Sequence, residues 1–257
     1  MNKKYLTILS SNLDHNPDFI TRKEKIKKTF SEYNFDFYTL QEIDKIKDIE
    51  YIIPKNYHYL KPTKGGNTII SKTKAIKSYT IKLGDVDAIS GLYNLGCHTF
   101  LVISTHFTWG TGKEYARLEN AYKINKFIDK IAPLDANRST NEIYTILAGD
   151  LNAEPDHSSI RYLTGKESYL KSSTQFTDPF ENYNNNHTSS NKNKFLIRTA
   201  KENNFLYPNL IPDRRIDYIL LRGFAHGRVG AGFDPITHNK EPFLYSDHYP
   251  ISVKVIC

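Results

Sequence analysis

"LAGDLNAEPD", residues 147–156, decides how this chain is read. A run of apolar and β-branched residues, EIYTIL, leads into it, and then Asp150 and Asn152 stand two apart at what reads as the mouth of a buried strand. Gly, Asp and Asn are also turn residues for backbone reasons, so such a stretch alone is more often a plain turn than a site. Its meaning depends on what stands at the other strand ends.

Strand-like segments occur at 4–13 (KYLTILSSNL), 35–43 (FDFYTLQEI), 66–72 (GNTIISK), 98–107 (HTFLVISTHF), 142–152 (EIYTILAGDLN), 215–223 (RIDYILLRG) and 249–256 (YPISVKVI). Several finish on a residue that a core would reject: Asn12, Glu42, His106, and the Asp150/Asn152 pair. Asp217 lies inside RIDYILL, and Asp247 with His248 immediately precedes the last strand. Strand ends are where sheet proteins build sites. If these ends meet, one cleft holds Glu42, Asp150, Asp217 and Asp247 together with Asn and His side chains.

Carboxylates crowded in this way repel unless a cation sits among them. Oxygen donors suit a hard ion such as Mg²⁺, with Mn²⁺ able to substitute, and such an ion fills its remaining positions with water and substrate phosphate. Each residue also has a plain structural reading. His106 or His248 alone can be structural, Asp217 can pair with Arg215, and Asn12 can cap a helix.

Between the strands, Phe19, Ile26, Phe30 and Tyr33 fit one helical face, as do Leu118, Ala121, Ile124, Ile128 and Ile131. DHSSIRYLTG (156–165) reads as a short helix with a Ser cap and a Gly stop, and the Asn-rich NYNNNHTSSNKNK (182–194) as a surface loop. The 257 residues are expected to form one domain, 1–257, acting as a monomer. Lys and Arg outnumber Asp and Glu by 35 to 28, a net +7, which favours anionic partners such as nucleic acid or an anionic membrane surface. Much of that excess sits in TRKEKIKKTF (21–30), which reads as the solvated face of an amphipathic helix. The two cysteines, Cys97 and Cys257, form no disulfide framework. The start, MNKKYLTILSSNLD, makes a poor signal peptide, and no stretch approaches the ~20 apolar residues of a membrane span. A cytoplasmic location is expected, with export by a non-classical route left open.

In order, SSNLD, LQE, GGNTIISK, STHF, GDLNAEPD, RIDYILL and YSDHYPI resemble the motif series of the endonuclease/exonuclease/phosphatase superfamily, the pancreatic DNase-like proteins, from about residue 8 to residue 253. The resemblance implies an α/β fold: a four-layered α/β sandwich of two packed mixed β-sheets flanked by helices, with the site at one edge of the sheets. It implies Glu42 as main metal ligand, with Asn12 and Asp247 nearby and Asp14 as a further acidic position. Asp150 and Asn152 would position or deprotonate the nucleophile, Asp217 would orient His248, and His106 would donate to the phosphate. Branches of the superfamily assign the general base differently, to the His-Asp pair or to the Asp of GDxN.

Fold does not settle substrate. The leading expectation is a Mg²⁺-dependent nuclease, with a sphingomyelinase-type phospholipid phosphodiesterase as the alternative. TAKENNFLYPNLIPDRRIDYIL (199–220) is similar to both sphingomyelinases and tyrosyl-DNA phosphodiesterases. A pseudo-enzyme that binds anions without cleaving them is the third reading, although every required acid and His is present. Trp109 is either a stacking platform for a base or an ordinary packed aromatic, and Arg214 and Arg215 either contact phosphate or form local ion pairs.

Overall fold

The computed structural model describes residues 5–14, 18–133, 143–183, 186–204, 207–224 and 233–256. Met1 to Lys4, on which the reading of the N-terminus partly rests, lie outside these, as do Phe205, Leu206 and Cys257.

Period-two alternation along apolar runs builds the layers. In β1 (Tyr5–Asn12), β2 (Phe37–Gln41) and β4 (Thr68–Ser71), neighbouring apolar residues point to opposite faces. Ile8, Phe37 and Ile69 join one buried cluster, whereas Leu9, Tyr38 and Ile70 join another. The same holds in β7 (His98–His106), β8 (Ile143–Asp150) and β9 (Asp217–Arg222). There Val102, Ile146 and Ile219 face the first cluster, and Leu101, Leu147 and Leu220 face a third. Strands covered on both faces need unbroken apolar runs, which is what made them visible in the sequence.

The shared cluster lies between two mixed sheets. One has the order β10-β11-β1-β2-β4-β3, where β3 is His58–Tyr59, β10 is Phe233–Thr237 and β11 is Ile251–Ile256. The other has the order β5-β6-β7-β8-β9, with β5 at Lys77–Lys82 and β6 at Asp87–Leu95. On its outer face the first sheet packs against α1 (Phe19–Tyr33), through Phe19, Ile26 and Phe30, and α2 (Ile46–Ile52), through Ile49 and Ile52. The second packs against α3 (Glu114–Ile131), through Leu118, Ala121, Ile124 and Ile128, and α4 (Ser158–Leu163), through Ile160, Tyr162 and Leu163. This is the four-layered α/β sandwich.

Each sheet contains a parallel pair, β1–β2 in one and β7–β8 in the other. The carboxyl ends of both pairs, at Asn12, Gln41, His106 and Asp150, lie along one edge. β9 runs antiparallel to β8 and β11 antiparallel to β1, so both begin at that same edge. Gly149 permits the closest part of this arrangement: its φ is +148°, and a Cβ there would stand 1.8 Å from the Thr105 carbonyl oxygen on the paired strand.

Four strands have no counterpart in the sequence reading: β3, β5, β6 and β10. β5 and β10 are sheet edges carrying lysines or a proline (Lys77, Lys82, Pro235), the residues that guard edges, and their apolar signal is correspondingly weak. Ser158 does not cap α4. His157 holds the cap position without a side-chain bond to the helix, and the Glu114 carboxylate of α3 accepts the Ser159 N–H at 2.6 Å instead. The 182–194 stretch is not simply a surface loop. Thr188, Ser189, Ser190 and Asn193 are buried because their polar groups satisfy backbone at a strand end and a helix start, the latter being α5 (Lys194–Glu202).

His238, just past β10, is stacked on Phe243 at 3.9 Å with its Nε2 2.8 Å from Ser252 Oγ, and burial lowers its pKa from 6.5 to about 4. Between those values the unfolded chain binds the proton and the folded chain does not, so stability is full above pH 6.5 and falls as pH drops toward 4. A loss on the order of 3 kcal/mol by pH 4 is expected from this residue. Urea midpoints measured across that range for the parent and His238→Asn check it: the difference between the two proteins should shrink as pH falls, and a constant difference refutes it.

Candidate active site

Asn12, at the end of β1, is buried, and its amide joins the two sheets. Nδ2 donates to Glu42 Oε1 at 2.9 Å and to Asp150 Oδ2 at 3.2 Å, while Oδ1 accepts the Asp14 N–H at 3.0 Å. It caps no helix. Glu42 follows β2 directly, with its backbone in the left-handed region at φ 56°. A Cβ on Gly66 would stand 2.5 Å from Ile43 N and 2.9 Å from the Glu42 carbonyl carbon, so only glycine lets the 65–66 turn press against this corner. Asp14 (φ 46°) and Asn152 (φ 50°) share the left-handed conformation. Asp and Asn tolerate it; for Glu it is a strained placement.

Asp150 is fixed from three sides. Its Oδ1 accepts the Asn152 N–H at 2.8 Å, and its Oδ2 faces the Asn12 amide, His106 Nε2 at 3.4 Å and His248 Nε2 at 3.8 Å. Asn152 Nδ2 in turn donates to the Phe107 carbonyl at 3.1 Å, so GDLN is a turn, but one built around a buried carboxylate. His106 Nδ1 lies 3.8 Å from Glu42 Oε1.

His248 Nδ1 meets Asp217 Oδ2 at 2.8 Å. Asp217, at the start of β9, is buried and pairs with this imidazole rather than with Arg215. Such a contact fixes the ring's tautomer and leaves Nε2 directed at Asp150. The His248 pKa is raised well above the usual imidazole value: burial opposes the charge, but Asp217, Asp150 and Asp247 together outweigh it. Asp247 is pushed up by burial, then by Glu42 and Asp150, and its Oδ1 accepts from Ser246 Oγ at 3.2 Å. Asp14 is raised to about 7, by burial first and then by Asp247 and Glu42, against the opposing Arg22 and Arg198.

These upward shifts come first from burial and then from oxygen donors facing one another, and a divalent cation fits such a donor set. Asp150, Asp217 and His248 also present ligand atoms within 4.8 Å of one another. There, however, Asp217 and His248 spend facing atoms on each other, whereas Glu42 and Asp247 offer hard oxygens; Asn12 turns its amide nitrogen to Glu42 and Asp150 and its oxygen to the Asp14 N–H.

For Arg215 the structure shows the ion-pair alternative, with a partner other than Asp217. Its guanidinium is buried in an ion pair with Asp178 at 2.7 Å and lies over the Tyr218 ring, so it supports β9 and does not face a phosphate. Arg214 is half-buried, with its backbone bridged to Ser189. Trp109 is 75% exposed and not packed.

Thr188 carries no signal that sequence reasoning could use, being one hydroxyl in a polar run. Its Oγ1 accepts both the Ile216 and Asp217 N–H groups at 3.1 Å, and it supports the ionised Asp217 side chain, opposing the upward push of burial there. Its carbonyl accepts the Tyr249 N–H at 2.7 Å, so one residue sets both halves of the Asp217–His248 pair.

The sequence matches the Endonuclease/Exonuclease/phosphatase family over residues 9–248. No curated protein sequence matches the chain. Among solved structures, the fold is similar to an endonuclease/exonuclease/phosphatase from Bacteroides vulgatus (16% identity, 98% of this chain and 99% of that one, TM-score 0.73). It is also similar to D. rerio TDP2 complexed with single-strand DNA product (17%, 99% and 100%, TM-score 0.72). A third is the mannosyl-6-phosphatase of Bacteroides thetaiotaomicron (20%, 98% and 100%, TM-score 0.69).

Thr188→Val, which keeps shape but removes the hydroxyl, is expected to lower turnover of a phosphate ester roughly 10- to 100-fold by loosening the Asp217–His248 pair. Thr188→Ser should restore most of it. Equal rates in the Val and Ser variants, with circular dichroism unchanged in both, sink this assignment.

Proposed function

The chain belongs to the endonuclease/exonuclease/phosphatase family, whose members hydrolyse phosphoric esters, and we propose that it is a Mg²⁺-dependent phosphodiesterase acting on nucleic acid. The observation that carries the reading is the convergence of two imidazole Nε2 atoms, His106 and His248, on the one buried carboxylate of Asp150, beside the Glu42–Asn12 corner.

Glu42 and Asp247 would hold the metal, with Asn12 fixing Glu42 in place through its amide N–H; when bound, the ion would supply positive charge against the phosphate oxygens and make water a better nucleophile. The chain's own residues do the rest. The phosphate enters between His106 and His248, with His106 donating to a non-bridging oxygen as charge accumulates there. Asn152, anchored on the Phe107 carbonyl, steadies the same group. Asp150 and His248 face the point from which water attacks, and one of them takes its proton. A new P–O bond forms, the ester P–O bond opposite it breaks, and the proton taken from the water is returned, directly or through solvent, to the departing oxygen.

Nucleic acid is favoured by the net +7 charge, by the exposed Trp109 three residues after His106, and by the fold's likeness to a protein captured with single-strand DNA product. A phospholipid diester is the second reading, favoured by exposed apolar side chains at Trp109 and Leu170.

Hydrolysis of supercoiled plasmid and of sphingomyelin vesicles, each with Mg²⁺ or chelator, tests the reading. Metal-dependent nicking is expected, and headgroup release with intact plasmid overturns it. His248→Ala should cut kcat/KM by about 10²- to 10⁴-fold with the fold intact; near-parent turnover removes His248 from the chemistry. Glu42→Gln should raise the Mg²⁺ concentration for half-maximal activity roughly tenfold or more. An unchanged titration curve places the metal elsewhere.

A further inference from the structure

A second cavity, of about 600 Å³, adjoins the segment that carries Asp247 and His248. Its walls include His187, Lys192, Lys194 and Lys240, one carboxylate, Asp213, and the ring of Tyr249. Nothing in the hydrolytic reading above uses these lysines.

The cavity and the catalytic pair share their supports. Tyr249 follows His248 and is hydrogen-bonded through its N–H to the Thr188 carbonyl; Thr188 stands between His187 and Ser189 and holds the start of β9. Asn193, another wall residue, donates to the Ser246 carbonyl at 2.9 Å, one residue before Asp247. The cavity wall and the segment that carries His248 are therefore joined through Tyr249 and Asn193.

The charge balance in the walls is one-sided. The single carboxylate is shared: Asp213 Oδ1 accepts from Ser190 Oγ at 2.6 Å, and Oδ2 lies 4.0 Å from Lys192 Nζ. Lys194 lies over the Phe195 ring, a contact that leaves its N–H donors available. Lysines gathered round a concavity without matching acids repel one another and focus a positive potential into it. An ammonium on a flexible stem suits a phosphate that must be held without fixed orientation, as along a strand, better than it suits planar recognition of one small molecule.

We propose that this cavity is a second anion subsite, taking a backbone phosphate of a single strand whose neighbouring diester lies at His248. The inference rests on the nucleic-acid reading above and deepens it: the substrate class is an oligonucleotide with at least two phosphates, and Lys192, Lys194 and Lys240 select for it over an ester with one.

The first test is binding without catalysis. Anisotropy of a fluorescein-labelled single-stranded DNA oligonucleotide is measured in chelator, across a salt series, for the parent, for Lys192→Ala/Lys194→Ala/Lys240→Ala, and for Asp213→Asn. The triple variant should bind roughly tenfold or more weakly, with a salt slope shallower by about 0.7, as expected when one phosphate of a single strand is no longer neutralised. Asp213→Asn, which removes the opposing charge, should bind more tightly. A triple variant that keeps parent affinity and slope overturns the subsite, as does a parent that fails to bind.

The second test is selectivity with Mg²⁺ present. The ratio of kcat/KM on the oligonucleotide to that on bis(p-nitrophenyl) phosphate, which has one phosphate, should fall roughly tenfold in the triple variant; an unchanged ratio overturns the proposal. A parent that binds the oligonucleotide through these lysines but hydrolyses neither compound removes the nuclease reading and leaves the subsite. A parent and triple variant that bind and cleave alike remove the subsite and leave the nuclease reading.

Discussion

The structure turns on one amide. Asn12 Nδ2 is shared between Glu42, at the end of the adjacent strand in its own sheet, and Asp150, at the end of a strand in the other sheet. Two carboxylates approach each other across the sandwich because a neutral donor stands between them. Below this point the sheets are joined by a further polar contact, Gln41 Nε2 to Ser104 Oγ at 3.1 Å, and then by the apolar cluster of Ile8, Phe37, Val102 and Ile146. The polar seam at the edge has a cost, since buried polar groups forgo apolar packing. The cluster underneath offsets it and holds the two parallel pairs in fixed relation, so the site is positioned by the core rather than by its loops.

From that constraint the electrostatics follow. Asp14, Asp217 and Asp247 are all held above the ordinary carboxylate range, burial being the first cause in each. Opposing charge is present but sits at the margins: Arg22 and Arg198 flank Asp14 and Asp18, away from the Asp150 side. The centre is left to His106 and His248 and to whatever cation the oxygens bind. A site whose fixed charges are negative and whose positive partners are exchangeable is suited to receiving an anion together with a metal, then releasing both.

Much of this was legible in the sequence, for a physical reason. Strands buried on both faces must be apolar throughout, so a polar residue at their end stands out, as with Asn12, Glu42, His106 and Asp150. The seven apolar strands and the two long helices were visible on the same ground. Edge strands with one wet face, such as β5 and β10, were not, because lysines and a proline dilute their pattern. The role of Thr188 was invisible, since a hydroxyl that accepts two backbone N–H groups leaves no periodic trace, and the polar run around it read as solvent-exposed. Arg215 shows a different limit: an ion pair was one of the two readings open for it, but its charge partner is Asp178 rather than the nearby Asp217, and only folding brings that pair together.

The left-handed backbone at Asp14, Glu42 and Asn152 bears on how the protein can change. Each non-glycine residue in that region stores roughly 1–3 kcal/mol of strain, and at Glu42 no local side-chain habit relieves it. A glycine there would relax the main chain and remove the carboxylate in one step. Selection for stability alone would therefore favour a sturdier protein without its acid, so the carboxylate at position 42 is held at the expense of stability.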